Sequence, residues 1–318
     1  MGNKKFIKIV SLSLLCTFLL TFILPLKMAY GAGNSSDSKV VEEKLKGIIA
    51  EYGEKNIIFE DGISIKVGET IDLNKINPEA NVKWIARDTE TVVISDKLTG
   101  KSEGTTFLIG SSANKYYVKE VYVYGNDNNI SFYRNSPRDH YLVYIDPGHG
   151  GYDPGAKGNG IVEKDLVLKL SMAIKSRLEE KGISVVTSRD KDEFVSLADR
   201  SNEANSISPD AFVSVHANSA TVTSAAGIET FYYTNEDKPL AEELQSKLIS
   251  YTGAVNRNTK YESYYVLKNT KVPSALVEVG FISNTNEAAK LKNESYQEKL
   301  INANVDGIVS YLKKNVSL

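Results

Sequence analysis

Two of the three histidines in this 318-residue chain stand where an apolar run gives way to a turn. His149 lies in Ile145-Asp146-Pro147-Gly148-His149-Gly150-Gly151, where three glycines permit a tight turn and keep bulk away from the imidazole. His216 closes the run Ala211-Phe212-Val213-Ser214-Val215. Between them, Glu163 sits just ahead of an amphipathic stretch in Ile161-Val162-Glu163-Lys164-Asp165. Two imidazoles and one carboxylate form a three-ligand set that leaves zinc one open position, the arrangement of a catalytic metal. Singly, each residue has a bland explanation: a satisfied histidine at a strand end, or a glutamate offsetting a helix dipole. A fourth candidate, Glu278, interrupts the apolar strand Ser274-Ala275-Leu276-Val277-Glu278-Val279. A carboxylate there is costly to bury unpaired, so it calls for a metal, a cation or a catalytic proton.

The elements that must position these residues follow from hydrophobic periodicity. Tyr141–Ile145, Ile183–Thr187, Ala211–Val215 and Ser274–Val279 read as strands. Asp165–Glu180 carries Leu166, Val167, Leu170, Ala173, Ile174 and Leu178 on one helical face. Further helices are predicted from Ser196, capped with Asp199, from Asp237-Lys238-Pro239, and over Tyr296–Leu312. Such alternation predicts an α/β catalytic domain over 141–318, a largely parallel sheet flanked by helices. Ligands collect at the carboxyl ends of strands in such sheets, where the candidate residues fall.

The motifs Asp146-Pro147-Gly148-His149-Gly150-Gly151, Gly155-Ala156, Glu163-Lys164-Asp165, Thr187-Ser188-Arg189 with Asp192, Leu197 with Arg200, Ala204-Asn205, Ser214-Val215-His216-Ala217-Asn218 and Val277-Glu278-Val279-Gly280-Phe281-Ile282-Ser283-Asn284 occur in order. In them residues 141 to about 314 resemble the zinc-dependent N-acetylmuramoyl-L-alanine amidases, which cleave peptidoglycan. The resemblance implies one Zn2+ held by His149, Glu163 and His216, with Glu278 as the catalytic glutamate. Zinc lowers the pKa of a water to about 7, and Glu278 takes its proton during attack on the lactyl amide. Asn218 is a candidate substrate contact and Asp146 a candidate acceptor orienting His149; turn formation and turn capping are the alternatives. Arg189 and Arg200 are expected to hold the fold through buried ion pairs, and Tyr264 and Tyr265 to line the groove or join the core. The family's Asn-Arg-Gly is here Asn256-Arg257-Asn258, and Asn tolerates the left-handed backbone nearly as glycine does. Only about a dozen residues separate His216 from the next strand, near Gly227–Tyr233, so no inserted helix is expected over the zinc and no activator protein is required. The alternatives are a zinc peptidase acting on peptidoglycan cross-links and a non-catalytic wall-binding protein. The absence of HExxH argues against the first, and retention of Glu278 against the second.

The N-terminal half has a different texture. Lys4, Lys5 and Lys8 precede an apolar run of 18 residues, Ile9 to Leu26, followed by Ala29-Tyr30-Gly31-Ala32. This predicts a secretory signal over 1–31, with an uncleaved anchor as the alternative. The one cysteine, Cys16, lies in that run, so no disulfide, CxxC pair or thiolate zinc cluster is available. Loss of Lys4, Lys5, Lys8 and Lys27 leaves 34 basic against 40 acidic residues, which excludes a basic nucleic-acid surface. Residues 32–55 read as a polar linker and a short helix, with Val41, Leu45, Ile48, Ile49 and Tyr52 on one face. Short β runs with frequent turns then predict a small antiparallel all-β sandwich over 56–125, with Trp84 in its core. Val82-Lys83-Trp84, Thr91-Val92-Val93-Ile94-Ser95 and Gly104-Thr105-Thr106 resemble bacterial immunoglobulin-like modules, which implies a wall-binding or spacing role. A linker at 126–140 joins the two parts. The expectation is a monomer, secreted or held at the envelope of a Gram-positive-type bacterium, because an exported chain without disulfides fits that surface.

Overall fold

A computed structural model describes residues 35–76, 82–112, 115–124 and 139–318, parts of one compact unit spanning Gly33–Leu318. The signal at 1–31, Cys16 and the linker at 126–140, except its last two residues, lie outside the described residues. None of the described helices is long and apolar enough to cross a membrane.

The N-terminal part begins with α1 (Ser35–Tyr52), followed by β1 (Ile57–Lys66), β2 (Thr70–Asp72), α2 (Leu73–Ile76), β3 (Lys83–Ala86), β4 (Val92–Ile94), β5 (Lys97–Gly100), β6 (Gly104–Ser112) and β7 (Lys115–Tyr124). These strands form a four-stranded sheet, β1-β7-β6-β3, and a three-stranded sheet, β2-β5-β4. Ile65, Trp84, Leu108, Val121 and Val123 of the first pack against Val92 and Leu98 of the second, so Trp84 belongs to the core as expected. The sheet departs from a purely antiparallel one. β1 carries a register shift between Glu60 and Ile63 and pairs with β7 in parallel.

Alternation along β7 gives its other face to two partners. Val118 packs with Val41, Leu45 and Ile48 of α1, whereas Tyr122 and Glu120 face the C-terminal part. The Tyr122 ring meets Tyr265 edge-on at 5.4 Å. Gly62 lies against Leu197, whose Cδ1 would be 2.1 Å from any added Cβ. Lys157 Nζ donates to Glu54 Oε1 at 3.0 Å, and Lys46 Nζ lies 5.3 Å from the Tyr152 ring centroid.

Glu120 is the costly member of this contact. Its Oε2 accepts a long 3.5 Å bond from the Leu197 N–H, and Oε1 has no hydrogen-bond partner among the described residues. Burial pushes its carboxyl up to about 8. Between the ordinary glutamate range and that value the folded chain holds a proton that the unfolded chain releases. Stability therefore falls as pH rises through this window and levels off above it, by on the order of a few kcal/mol. Thermal unfolding at pH 5 and pH 8 should show this slope in the wild type and a flatter one in Glu120→Gln; equal slopes would contradict the assignment.

The C-terminal part runs β8 (Leu142–Pro147), β9 (Lys157–Gly158), β10 (Ile161–Val162), α3 (Glu163–Glu179), β11 (Ser184–Thr187), α4 (Leu197–Ile207), β12 (Ala211–Asn218), β13 (Ile228–Tyr232), α5 (Lys238–Thr252), β14 (Asn256–Tyr261), α6 (Tyr265–Asn269), β15 (Ser274–Phe281), α7 (Thr285–Lys292) and α8 (Glu294–Asn315). The sheet order is β11-β8-β12-β15-β13-β14. Its strands pair in parallel except where β13 runs against β15. Side chains of α3, α5, α7 and α8 fill one face with Val143, Val213 and Val277. Those of α4 and α6 fill the other with Tyr144, Phe212 and Leu276. Ser196 caps α4 by accepting from the Asp199 N–H at 3.1 Å, as its spacing predicts.

Candidate active site

The turn after β8 is shaped by what surrounds it. His149 has φ 59°, a left-handed conformation uncommon outside glycine, and Gly150 and Gly151 follow with φ 128° and 58°. Glycine is required on sterics as well as backbone. A Cβ on Gly148 would lie 2.3 Å from His216 Cε1, and one on Gly155 would lie 2.6 Å from both Glu163 Oε2 and His149 Cδ2. The turn closes through paired backbone bonds between Gly150 and Asp153, at 2.9 and 3.1 Å. That closure carries the Asp153 carboxylate back to within 2.8 Å of His149 Nδ1.

Glu163 is the first residue of α3, two residues earlier than the expected helix start at Asp165. Its Oε1 lies 3.0 Å from His149 Nε2 and 3.1 Å from His216 Nδ1, and it accepts from the Ala217 N–H at 3.0 Å. Its Oε2 accepts from the Ala156 N–H at 2.8 Å. The two imidazoles stand edge to face, 4.8 Å apart. Ligand atoms of His149, Glu163 and His216 all lie within 4.8 Å of one another, and both rings stay about one-sixth exposed. The group can hold a metal, and its two nitrogens and one oxygen suit zinc with a position left open. The cradle that a Cβ at Gly148 or Gly155 would fill fits the same reading.

Electrostatics reinforce the cluster. Burial alone would lower the His149 pKa, but Asp153 and Glu163 outweigh it and hold the imidazole well above its ordinary value. Burial would raise Glu163, and His149 with His216 reverse this, holding it far below the carboxylate range. Asp153 behaves alike: His149 and the Gly155 N–H keep it lowered against burial.

Across the sheet, β12 and β15 pair His216 with Glu278, and β15 and β13 pair Glu278 with Glu229. Register partners point to the same face, so one row runs from the His216 imidazole through Glu278 to Glu229. Asn218, two residues beyond His216, donates its Nδ2 to Glu229 Oε1 at 2.8 Å.

The expected role of Asp146 needs correction. It lies on β8 with its carboxylate turned to the α4 side, where Oδ1 accepts from Arg200 Nη1 and Ser188 Oγ, both at 2.6 Å, and Oδ2 accepts from Ser214 Oγ at 2.7 Å. The acceptor on His149 is Asp153. Its position four residues after the histidine, past two glycines, was the available signal. Arg200 forms its ion pair as expected, whereas Arg189 donates instead to the carbonyls of Pro147, Gly148 and Lys164 at 3.1, 2.7 and 2.9 Å. Tyr265 is buried, and both Tyr264 and Tyr265 line a cavity that also touches His149 and His216. The sequence signal for Glu229 is a carboxylate within an apolar run, Ile228-Glu229-Thr230-Phe231, as for Glu278 in Ser274–Val279.

A carboxylate on the distal nitrogen fixes a ligating imidazole's tautomer and direction. Asp153→Ala should therefore weaken zinc binding by about 10–100-fold, measured by chelator competition with circular dichroism as a check on folding; unchanged affinity would remove Asp153 from this role.

These features define an α/β-sheet protein with a His/Glu/His group that could hold a metal at the carboxyl ends of its strands. The profile of the Amidase_3 family, N-acetylmuramoyl-L-alanine amidase, matches residues 143–310. The chain is 43% identical over 179 residues to the uncharacterised protein YqiI of Bacillus subtilis, spanning 55% of this chain and 86% of that one. It is 42% identical over 175 residues to the amidase LytC of B. subtilis, spanning 54% of this chain but 35% of LytC. The crystal structure of an N-acetylmuramoyl-L-alanine amidase from Clostridium difficile 630 superposes with a TM-score of 0.55 at 38% identity, covering 56% of this chain and all of that one. The chain belongs to the N-acetylmuramoyl-L-alanine amidase family, and its matched domain is a cell-wall hydrolase. The strands β1–β7 lie outside the matched residues.

Proposed function

We propose that the chain is an exported, zinc-dependent amidase that cuts peptidoglycan between the lactyl group of N-acetylmuramic acid and L-alanine. The observation that carries this reading is the convergence of His149 Nε2, Glu163 Oε1 and His216 Nδ1, with Glu278 one strand away in register. His149, Glu163 and His216 would hold a zinc ion, which would supply Lewis acidity to the scissile carbonyl and make an attacking water more acidic. Glu278 takes the proton of the attacking water and returns it to the departing alanine amine. Asp153 holds His149 in the ligating orientation, while Ala217 and Ala156 N–H groups fix both oxygens of Glu163.

Among the described residues no helix lies between β12 and β13, which supports the reading of an open groove. The apolar leader at residues 9–26 and the membership of cell-wall hydrolases support action in the envelope of a Gram-positive-type bacterium. The β-rich part, proposed as an immunoglobulin-like module over 56–125 ahead of a catalytic domain at 141–318, packs on the catalytic side through Tyr122 and Gly62. That contact supports a fixed rather than a loosely tethered module.

Purified murein incubated with the zinc-loaded chain should yield stem peptides with a free N-terminal L-alanine and intact glycan, identified by mass spectrometry. Release of fragments cut within the stem or cross-bridge would instead identify a peptidase. No release at all would leave a wall-binding protein.

A further inference from the structure

The row that begins at the metal ligands ends in a charge cluster to which the mechanism above gives no task. Glu229 is buried, and its Oε1 is taken by Asn218. Its Oε2 accepts from Arg257 Nε at 3.0 Å and also pairs with Lys260 Nζ. One carboxylate thus meets two cations, and the cluster keeps one net positive charge in a chain whose formal charge is −2. The backbone is built to place them. Opposite Glu229 the β13–β14 pairing shifts register between Ile228 and Thr230, and Asn258 takes φ 67° there, the conformation for which the family uses glycine.

Arg257 is held but not used up. Its guanidinium lies over the Phe281 ring at 4.8 Å, and Nε is spent on Glu229. Its two terminal nitrogens make no hydrogen bond among the described residues, and the side chain is 33% exposed. Lys260 is 42% exposed. A pinned guanidinium with a free fork is the group that best recognises a carboxylate. Strands lie about 4.8 Å apart, so Glu229 stands about 10 Å along the row from His216. An extended peptide rises about 3.3–3.6 Å per residue, which puts the cluster two or three residues beyond a bond cleaved at the metal. The lactyl carboxyl of the substrate is consumed in the scissile amide. The remaining carboxylates on that side belong to the stem peptide.

We propose that Arg257 and Lys260, fixed by Glu229, form a subsite for the carboxylate of the second stem-peptide residue past the scissile amide. The proposal rests on the amidase reading and names the part of the substrate that its peptide side recognises. Arg257 and Lys260 are specificity residues; Glu229 positions them.

The test compares N-acetylmuramoyl-L-alanyl-D-isoglutamyl-L-lysine with its D-isoglutamine counterpart, whose second-residue carboxylate is an amide, using the full zinc-loaded chain. The wild type should favour the free acid by about tenfold in kcat/KM, carried by KM. Arg257→Ala should bring the ratio close to one, Lys260→Ala should reduce it, and Arg257→Lys should retain part of it. A wild type that treats both substrates alike overturns the subsite, as does an Arg257→Ala variant that keeps the preference. If the wild type cuts neither compound, the amidase reading fails and the subsite is judged on binding. L-Alanyl-D-isoglutamyl-L-lysine titrated by calorimetry should then bind the wild type about tenfold more tightly than Arg257→Ala, and equal affinities would overturn it.

Discussion

Glu278→Gln is expected to lower kcat for muropeptide release by about 10³-fold, while zinc content measured by plasma mass spectrometry stays at wild-type level. The two readouts separate because Glu278 is not among the three residues whose ligand atoms converge. It lies on β15 between Val277 and Val279, both fully buried, so the strand's position is set by apolar packing that glutamine leaves intact. Glutamine keeps shape and hydrogen bonding but cannot take a proton from water. A general base contributes about 10²–10⁴-fold, so a variant retaining more than a tenth of wild-type kcat would exclude Glu278 as the base. Loss of zinc together with activity would make it a ligand instead.

The second large effect concerns stability. Arg200→Met should destabilise the fold by about 3–5 kcal/mol, read as a fall in melting temperature on the order of 10 °C. Asp146 is 1% exposed and Arg200 3%, so removing the guanidinium leaves a buried carboxylate without its charge partner. The same guanidinium donates to the Pro147, His149 and Val195 carbonyls at 2.8, 2.7 and 3.0 Å, tying the histidine turn to the start of α4. Burial pushes the Asp146 carboxyl up, and Arg200 with Ser188 and Ser214 more than offsets this, leaving it below the ordinary aspartate range. The pair's contribution is therefore present at neutral pH and lost only as pH falls through that lowered value. A double variant with Asp146→Leu should recover part of the loss, because replacing both partners removes the unpaired charge. No recovery would mean that the guanidinium acts mainly through the three carbonyls.

Much of this site was legible because its parts are local. Gly148 to Gly151 around His149, and Glu163 at the head of an amphipathic helix, are short-range patterns dictated by steric clearance and by periodicity. His216 and Glu278 could be read for a related reason: polar groups within or closing an apolar run are expensive and stand out. What depended on direction rather than spacing was not readable. Asp146 is three residues from His149 and Asp153 four, yet the Asp146 carboxylate is taken up by Arg200, Ser188 and Ser214 while the closed turn at Gly150 returns Asp153 to the imidazole.

By itself, then, the sequence determined the α/β alternation, the family and the His149, Glu163 and His216 group that could hold a metal, and it pointed to Glu278. Each follows from contacts within a few residues or from the price of a polar group in an apolar run. Only the tertiary structure decided the row His216–Glu278–Glu229, the gathering of Arg257 and Lys260 on Glu229, and the seating of β1 and β7 against Leu197 and Tyr265. These join residues dozens of positions apart, and the register between strands distant in sequence is fixed by how their faces pack, which no local pattern encodes.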